Sequence, residues 1–321
     1  MSRKTACILI CLLATHQAMG QTCCSGGVPV SANLGMPLAQ AKAIQFNLAY
    51  DLNALNTLKE GFEVLDDRSR KRTTHALLLE LGYSITDRWS VDVLISGVRQ
   101  ERKISRSVGD DLTRTTGFGD ATILTKYSLL NNERMSLTPG LGIKLPTGAS
   151  DLLRNDGIAL SADLQPGSGA TDLIYWLHYA VNSVITEGGT FFLAAIHSRK
   201  GINDDYLGSK AYQFGDEWQV GAGLSIQTVI KSWITVPALM IRYRQATSDA
   251  IDDQTLPSTG GSWIFANPSI AISTNPETSW TFSLDLPLMA RIQGIQVTPT
   301  YRLNVAFYHK LYFSKYKSQR S

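Results

Sequence analysis

The chain has 321 residues, of which 44% are hydrophobic and 18% charged, and its formal net charge is +3 at pH 7. The length would suit two domains, but one rhythm of strands and turns runs from about residue 44 to 313 and favours a single closed unit. The balanced charge predicts no nucleic acid or other strongly charged partner. No stretch after residue 20 reaches the 18 or more consecutive apolar residues of a membrane helix, which excludes a helical membrane protein.

Residues 1–20 have the three parts of a secretory signal peptide. Two basic residues are followed by an apolar run and then by small residues before position 21. These parts are Arg3 with Lys4, Ala6 to Ala14, and Ala18 with Gly20. We therefore expect the mature chain to start at Gln21, with a periplasmic N-terminal segment over residues 21–43.

All four cysteines lie in this N-terminal part of the chain. Cys7 and Cys11 belong to the signal peptide, and Cys23 with Cys24 follow it in a segment without strand pattern. Lipidation of Cys23 would need an aliphatic residue three positions before it, where Gly20 stands. A mobile periplasmic tail is the expected state, with metal binding or pairing with another protein's thiol as alternatives.

The main signal of the remaining chain is alternation of apolar and polar residues with a period of two. It runs over segments of about 10–12 residues, the length that a tilted strand needs to cross the hydrocarbon layer. In residues 73–84 the apolar set is Leu77, Leu79, Leu81 and Tyr83, and the polar set is Thr74, Glu80, Gly82 and Ser84. Leu78 is an exception that a lumen partly filled by side chains allows. A helix would mix the two sets.

The same division recurs in residues 134–145, 214–228 and 278–289. The final strand places an apolar and aromatic set on one face, which is the type of strand that barrel-assembly machinery reads. This set is Val297, Tyr301, Leu303, Val305, Phe307, Leu311 and Phe313. A C-terminal tail, residues 314–321, follows it, although many such barrels end at the aromatic residue.

Connections alternate in length, and this alternation decides the predicted topology. Short turns fall near residues 86–88, 131–133, 186–189, 230–232 and 275–277. Long connections cover about 55–71, 101–117, 146–169, 201–213 and 246–261, with a brief one near 290–294. Short periplasmic turns and long external loops are typical of outer-membrane barrels. The sequence therefore predicts an all-β fold, a closed antiparallel up-and-down transmembrane β-barrel of about 12 strands over residues 44–313, with both termini periplasmic.

A soluble β-sandwich or a lipocalin-like barrel also alternates and must be compared with this prediction. In a soluble barrel charged residues face outward, whereas the polar set here is rich in Gly, Ser, Thr and Gln. Aromatic residues also cluster near strand ends, where the girdles of membrane barrels form. They are Trp89, Trp218, Trp233, Trp263, Trp280, Tyr83, Tyr179, Phe307 and Phe313. Both features favour the membrane barrel.

Three glycine-containing stretches carry a family resemblance. They are Gly117-Phe118-Gly119-Asp120 with Thr125-Lys126-Tyr127, Lys144-Leu145-Pro146-Thr147-Gly148, and Leu164-Gln165-Pro166-Gly167-Ser168-Gly169. Together they resemble the outer-membrane proteins named after the meta-cleavage pathway of phenol degradation, a family of transporters. The resemblance spans residues 40–313 and implies an outer-membrane, porin-like barrel and solute passage. It implies no particular substrate.

Ionisable residues on the inward set are the candidate functional residues, because a charge at this depth is costly unless it is paired or meets water. By alternation they are Glu80, Asp92, Asp120, Lys126, Lys144, Asp172, Glu217, Arg242, Arg244 and Asp285. One interpretation is a polar lumen lining that selects solutes. The other is a network of ion pairs that fills a narrow lumen.

No enzyme is predicted. A lipase of this fold would need a Ser and a His on one bilayer-facing surface with an orienting third group. His197 and Ser198 are adjacent in a strand and point to opposite faces, and His178 has no inward Ser nearby. Acidic loop clusters, such as Asp110-Asp111, suit solvated loop tips or divalent cations that bridge lipopolysaccharide. We expect no cofactor and no catalytic or resident metal site.

The sequence thus favours a monomeric barrel in the outer membrane of a Gram-negative bacterium. We expect passive passage of small solutes, hydrophobic or aromatic ones among them. The expected partners are outer-membrane lipid, lipopolysaccharide and the barrel-assembly machinery. The alternative is a plugged structural or adhesive barrel that acts through its external loops.

Overall fold

A computed structural model describes residues 41–107 and 109–312 of the chain. The predicted signal peptide, all four cysteines, nearly all of the N-terminal segment, Phe313 and the C-terminal tail lie outside these residues. Their predicted roles therefore stay predictions. Within the described ranges, no helix is long and apolar enough to cross a membrane.

Twelve antiparallel strands form a closed barrel. They are β1 (Ala43–Glu60), β2 (Arg70–Ser84), β3 (Trp89–Arg106), β4 (Ala121–Tyr127), β5 (Met135–Leu145), β6 (Asp172–Asn182), β7 (Gly189–Arg199), β8 (Glu217–Ile226), β9 (Trp233–Ala246), β10 (Gly261–Asn275), β11 (Thr278–Ile292) and β12 (Ile295–Tyr312). Each strand pairs with the next in the chain, and β1 pairs with β12 from Ala43 opposite Tyr312 to Glu60 opposite Ile295. The predicted closed up-and-down barrel is confirmed.

Burial alternates along the strands as the hydrophobic pattern predicts. In β2 the even positions Arg72, Thr74 and Glu80 are buried inside the barrel, while Leu77 and Leu81 are exposed on its outer wall. Leu78, the exception in the pattern, is also buried inside. The outward apolar side chains therefore form the surface that a bilayer would cover.

The connection predicted over residues 101–117 is wrong. β3 continues to Arg106, and a further strand, Gly109–Phe118, returns along it. Thr113 and Thr115 are buried in this strand and Arg114 is exposed, so both of its faces are polar at these positions. A strand that extends beyond the apolar band needs no apolar outer face. A search for alternating apolar residues therefore does not detect it.

Two other predicted loops contain strands of their own. The segments 201–213 and 246–261 build a four-stranded sheet at the long-loop end of the barrel. Its strands are Ile202–Tyr206, Lys210–Gln213, Ala250–Ile251 and Gln254–Thr255. Shorter strands pair with single barrel strands at Glu63–Val64, Leu130–Asn131 and Thr228–Ile230.

The barrel wall is irregular next to β4. The strand Gly109–Phe118 pairs with β3 but not with β5, because β5 ends at Leu145. The connection from β5 to β6 fills this part of the wall and turns into the barrel mouth. It carries one turn of 3₁₀ helix, Ala162–Leu164, whose three residues are buried. We call residues 146–171 the inward segment.

Candidate functional site in the barrel interior

The barrel interior is divided into an apolar side and a charged side. The apolar side comes from β1 to β4, β6 and β7, and its centre is a cluster of buried residues. The cluster consists of Ala49, Ala76, Leu78, Leu94, Val98, Leu124, Ile174, Trp176 and Ile196. Apolar residues inside the barrel exclude water from this side of its interior.

Three buried arginines form most of the charged side. Arg242 binds Asp285 at 2.5 Å, Arg244 binds Glu217 at 2.8 Å and Arg302 binds Asp51 at 2.7 Å. The guanidinium of Arg244 also lies 4.9 Å above the ring of Trp263. Each arginine thus has a carboxylate partner, as buried charges require.

A small cavity lies between these arginines. Its lining includes Asn53, Gln219 and Phe265, and it offers about 20 Å³ to the centre of a water-sized molecule. That space suits about one water molecule rather than a solute. The Nε of Arg242 and one Nη of Arg302 are buried donors without a hydrogen-bond acceptor among the described residues. Such donors make the cavity a polar one.

The acids and bases near the short-turn end form a separate group. Lys126 binds Asp92 at 2.5 Å, and both side chains are fully buried. The ammonium of Lys126 also lies 5.9 Å from the ring of Trp176. Glu80 accepts a 3.4 Å hydrogen bond from Asn47 of the neighbouring strand. This group borders the apolar cluster through Trp176.

A chain of four alternating charges lies below the barrel mouth. Lys144 binds Asp120 at 3.1 Å and Asp172 at 2.9 Å, and Lys200 binds the same Asp172 at 3.1 Å. Ser168 of the inward segment donates to Asp120 and lies 2.6 Å from the ammonium of Lys144. The chain therefore connects the barrel wall to the inward segment.

The inward segment is held by side chains of β2, β3 and the strand Gly109–Phe118. Arg72 binds the Asp163 carboxylate at 2.9 Å and also donates to the Asp163 carbonyl. The amide of Gln100 donates to the Gln165 carbonyl at 3.2 Å, and the Thr115 hydroxyl donates to the Leu164 carbonyl at 2.8 Å. The segment is thus anchored by hydrogen bonds and ion pairs rather than by a strand ladder.

Every predicted inward residue is buried in an ion pair or hydrogen bond of the interior. The structure brings them together in the three groups described above. Whether they line a path for solutes stays a prediction. Sequence reasoning missed five charged members of these networks, which are Asp51, Arg72, Asp163, Lys200 and Arg302.

The missed residues differ in the signal that could have found them. Alternation extended through β1 and β12 places Asp51 and Arg302 on the inward set. Arg72 precedes the stretch in which apolar alternation begins. Asp163 lies in a connection, where no periodicity reveals an inward turn. Trp263, predicted in an interface girdle, is instead fully buried inside the barrel.

Among the described residues, the histidines considered for catalysis and the acidic loop residues considered for cation binding are not brought together in such a site. His197 stacks on Trp218 of the outer wall with ring centroids 4.0 Å apart, while Ser198 is buried on the other face. Within residues 41–107 and 109–312, no group of three or more His, Cys, Asp or Glu is placed to hold a metal ion. In the loops, Asp110 pairs with Lys103 and Asp252 pairs with Lys210.

Comparison with known proteins agrees with the barrel fold. No protein-family model and no curated protein matches the sequence. Among solved structures, an outer membrane channel from Pseudomonas putida F1 superposes with a TM-score of 0.67 at 17% identity, covering 86% of this chain and 97% of that one. The β domain of the Bordetella autotransporter BrkA gives a TM-score of 0.48 at 10% identity, covering 84% and 100% of the two chains. The first likeness shows the fold of an outer-membrane barrel, and the second is too distant to carry an argument.

Proposed function

We propose that this protein is an outer-membrane channel through which small solutes pass passively, and that the inward segment is its gate. The support for the membrane location is the outward set of apolar residues together with the barrel fold. The resemblance to the phenol meta-pathway family agrees with this proposal and remains a prediction.

The observation that carries the proposal is the way in which the inward segment is held. Arg72, Gln100 and Thr115 bind one part of it, Asp120 and Lys144 bind its Ser168, and no strand pairing of the barrel depends on it. If these contacts open, the segment can leave the mouth while the twelve-stranded ladder stays intact. A gate that moves without breaking the barrel is the behaviour expected of a channel loop.

The two-sided interior favours solutes that combine an apolar body with polar groups. Such a solute can place its apolar face against the cluster around Trp176 and its polar groups against the hydrogen-bonding side chains near Gln219 and Asn53. This agrees with the expected passage of aromatic solutes.

The test is swelling of liposomes that contain the refolded mature protein. Phenyl glucoside and glucose share a sugar but differ in the aromatic ring, and neither crosses a bare bilayer readily. We expect both to enter faster than in empty liposomes, with phenyl glucoside favoured, and entry to be faster for Asp163→Ala than for the wild type. Lys210→Ala, which removes an exposed ion pair, is the control and should change nothing.

Swelling no faster than that of empty liposomes, for both the wild type and Asp163→Ala, would contradict the channel. The alternative would then be a plugged barrel that acts through its external loops. Its supporting observation is that apolar and paired side chains are buried in the interior and that the four-stranded sheet packs against Ala162 of the inward segment.

A further inference from the structure

The outer wall carries a concentration of positive charge just beyond its apolar band. Lys71, Arg99, Lys103 and Arg114 are exposed outward-facing residues of β2, β3 and the strand Gly109–Phe118. We call them the outer-wall cation cluster. They are unconnected with the interior networks, because they occupy the opposite face of these strands.

Strand register places the four side chains in three adjacent rows. Arg99 lies opposite His75, Arg114 opposite Glu101, and Lys103 opposite Lys71. Directly opposite residues of neighbouring strands have Cβ atoms about 4.5–5.5 Å apart, so two like charges there are unfavourable. The pairing of Lys71 with Lys103 therefore favours an anion between them.

Carboxylates of the protein itself neutralise only part of the charge of this cluster. Lys103 binds Asp110 at 2.6 Å and Arg114 binds Glu101 at 2.7 Å. Within the described ranges, Lys71 and Arg99 form no ion pair. His75 accepts or donates a 2.7 Å hydrogen bond with Tyr50 through Nδ1, which leaves its Nε2 for another group.

An apolar groove begins immediately beside the cluster, towards the short-turn end. Gly97 lies between Leu77 and Phe118 in the next row, and a Cβ added at Gly97 would meet no atom within 4 Å. The two flanking side chains are 53% and 78% exposed. Two apolar walls with an open floor suit an acyl chain.

We propose that this surface binds a phosphorylated glycolipid of the outer leaflet, with its phosphates on the outer-wall cation cluster and one acyl chain over Gly97. The proposal rests on the membrane location given above, in which the long-loop end is external. Arg99 and Lys103 are four residues apart, about 13 Å along the strand. Cations spread over this length suit a disaccharide with a phosphate at each end better than a single phosphate group.

The test is native mass spectrometry of the folded protein in detergent with bis-phosphorylated lipid A as the probe. The double variant Arg99→Ala/Lys103→Ala is compared with the wild type. The control is Arg199→Ala/Lys210→Ala, which removes two exposed cations from the same end of the barrel outside the cluster. Heat-modifiable migration in gels verifies that each variant is folded.

We expect the cluster variant to bind lipid A about tenfold more weakly, since two charge-assisted contacts are lost, and the control to bind as the wild type does. Dephosphorylated lipid A should bind the wild type weakly. Equal binding by the wild type and the cluster variant would overturn the proposal. So would displacement of lipid A by an equal concentration of phosphatidylglycerol, because the site would then prefer a single phosphate.

Conductance of the same variants separates this proposal from the channel function. Equal lipid A binding by the wild type and the cluster variant, with normal conductance of both, contradicts only the glycolipid site. Silent channels, with the expected loss of lipid A binding in the cluster variant, contradict only the channel.

Discussion

Lys126 and Asp92 show how the interior tolerates charge. Their 2.5 Å ion pair is fully buried, and the ammonium of Lys126 also lies 5.9 Å from the ring of Trp176. Removing one partner of such a pair leaves a buried charge without compensation. We expect Lys126→Met to lower the free energy of unfolding by roughly 3–5 kcal/mol, whereas Lys126→Met/Asp92→Leu recovers most of that loss.

Urea unfolding of the refolded protein in detergent, followed by tryptophan fluorescence, measures this difference. Lys210→Met, which opens an exposed ion pair, should leave the midpoint in place. If the single and double interior variants were equally destabilised, the pairing of the two charges would not be the source of the loss.

Asp249 gives a pH dependence at the long-loop end. Burial raises the pKa of the Asp249 carboxyl above 3.8, although it accepts hydrogen bonds from the Tyr212 hydroxyl and the Gly215 amide. Because the pKa of Asp249 is higher in the folded protein than in the unfolded chain, protonation of this carboxyl favours folding. This contribution to the free energy of unfolding is fully present below pH 3.8 and is lost as the pH rises through the raised pKa. The loop sheet should therefore be less stable at neutral pH than in weakly acidic buffer.

Hydrogen exchange of the amides in Lys210–Gln213, corrected for intrinsic rates, tests this expectation. Protection should fall towards neutral pH in the wild type and stay constant in Asp249→Asn. The control is Asp204→Asn, which removes an exposed carboxylate from the connection that contains Lys210–Gln213. This variant should behave as the wild type does. The pKa of Asp252 is lowered from 3.8, so this carboxylate changes its charge only below pH 3.8. It therefore does not contribute between weakly acidic and neutral pH. Equal protection at both pH values in the wild type would contradict the account.

At the scale of elements, the inward segment depends on two glycines. A Cβ at Gly167 would lie 2.7 Å from the Cα of Gly148, and one at Gly148 would lie 2.8 Å from the Cα of Gly167. Both contacts are with backbone, so relief requires movement of the segment. We expect Gly167→Ala to displace it and to increase the rate of tryptic cleavage at Arg154 severalfold.

Gly157→Asn is the matched control for this substitution. Gly157 belongs to the same segment, has a φ of +78° and meets nothing within 4 Å, and Asn tolerates that backbone conformation. Cleavage at the wild-type rate in Gly167→Ala would show that the close approach of the two glycines does not hold the segment.

Elements with an apolar outer face were predictable from sequence, and those without one were not. Residues 73–84 alternate between outward-facing leucines and an inward polar set, and they belong to β2. The strand Gly109–Phe118 has no such contrast around Arg114 and was predicted as a loop. The inward charges followed from the same alternation, but Asp163 depends on how a connection folds, which periodicity does not encode.

At the scale of the whole molecule, the β1–β12 seam closes the barrel sheet, and the strand Gly109–Phe118 pairs with β3 alone beside this closed ladder. The two-sided interior and the inward segment then decide how much of the lumen is open. An apolar cluster on one side and paired arginines on the other leave a cavity the size of about one water molecule. We therefore expect passage of a solute to require movement of the inward segment.

Single-channel conductance of the refolded mature protein in planar bilayers tests this claim most directly. The wild type should open briefly and rarely, and Arg72→Ala, which removes the ion pair to Asp163, should open longer and more often. Lys210→Ala should match the wild type. Discrete openings that respond to Arg72→Ala would support a channel gated by the inward segment, whereas silence from folded wild type and folded Arg72→Ala would contradict it.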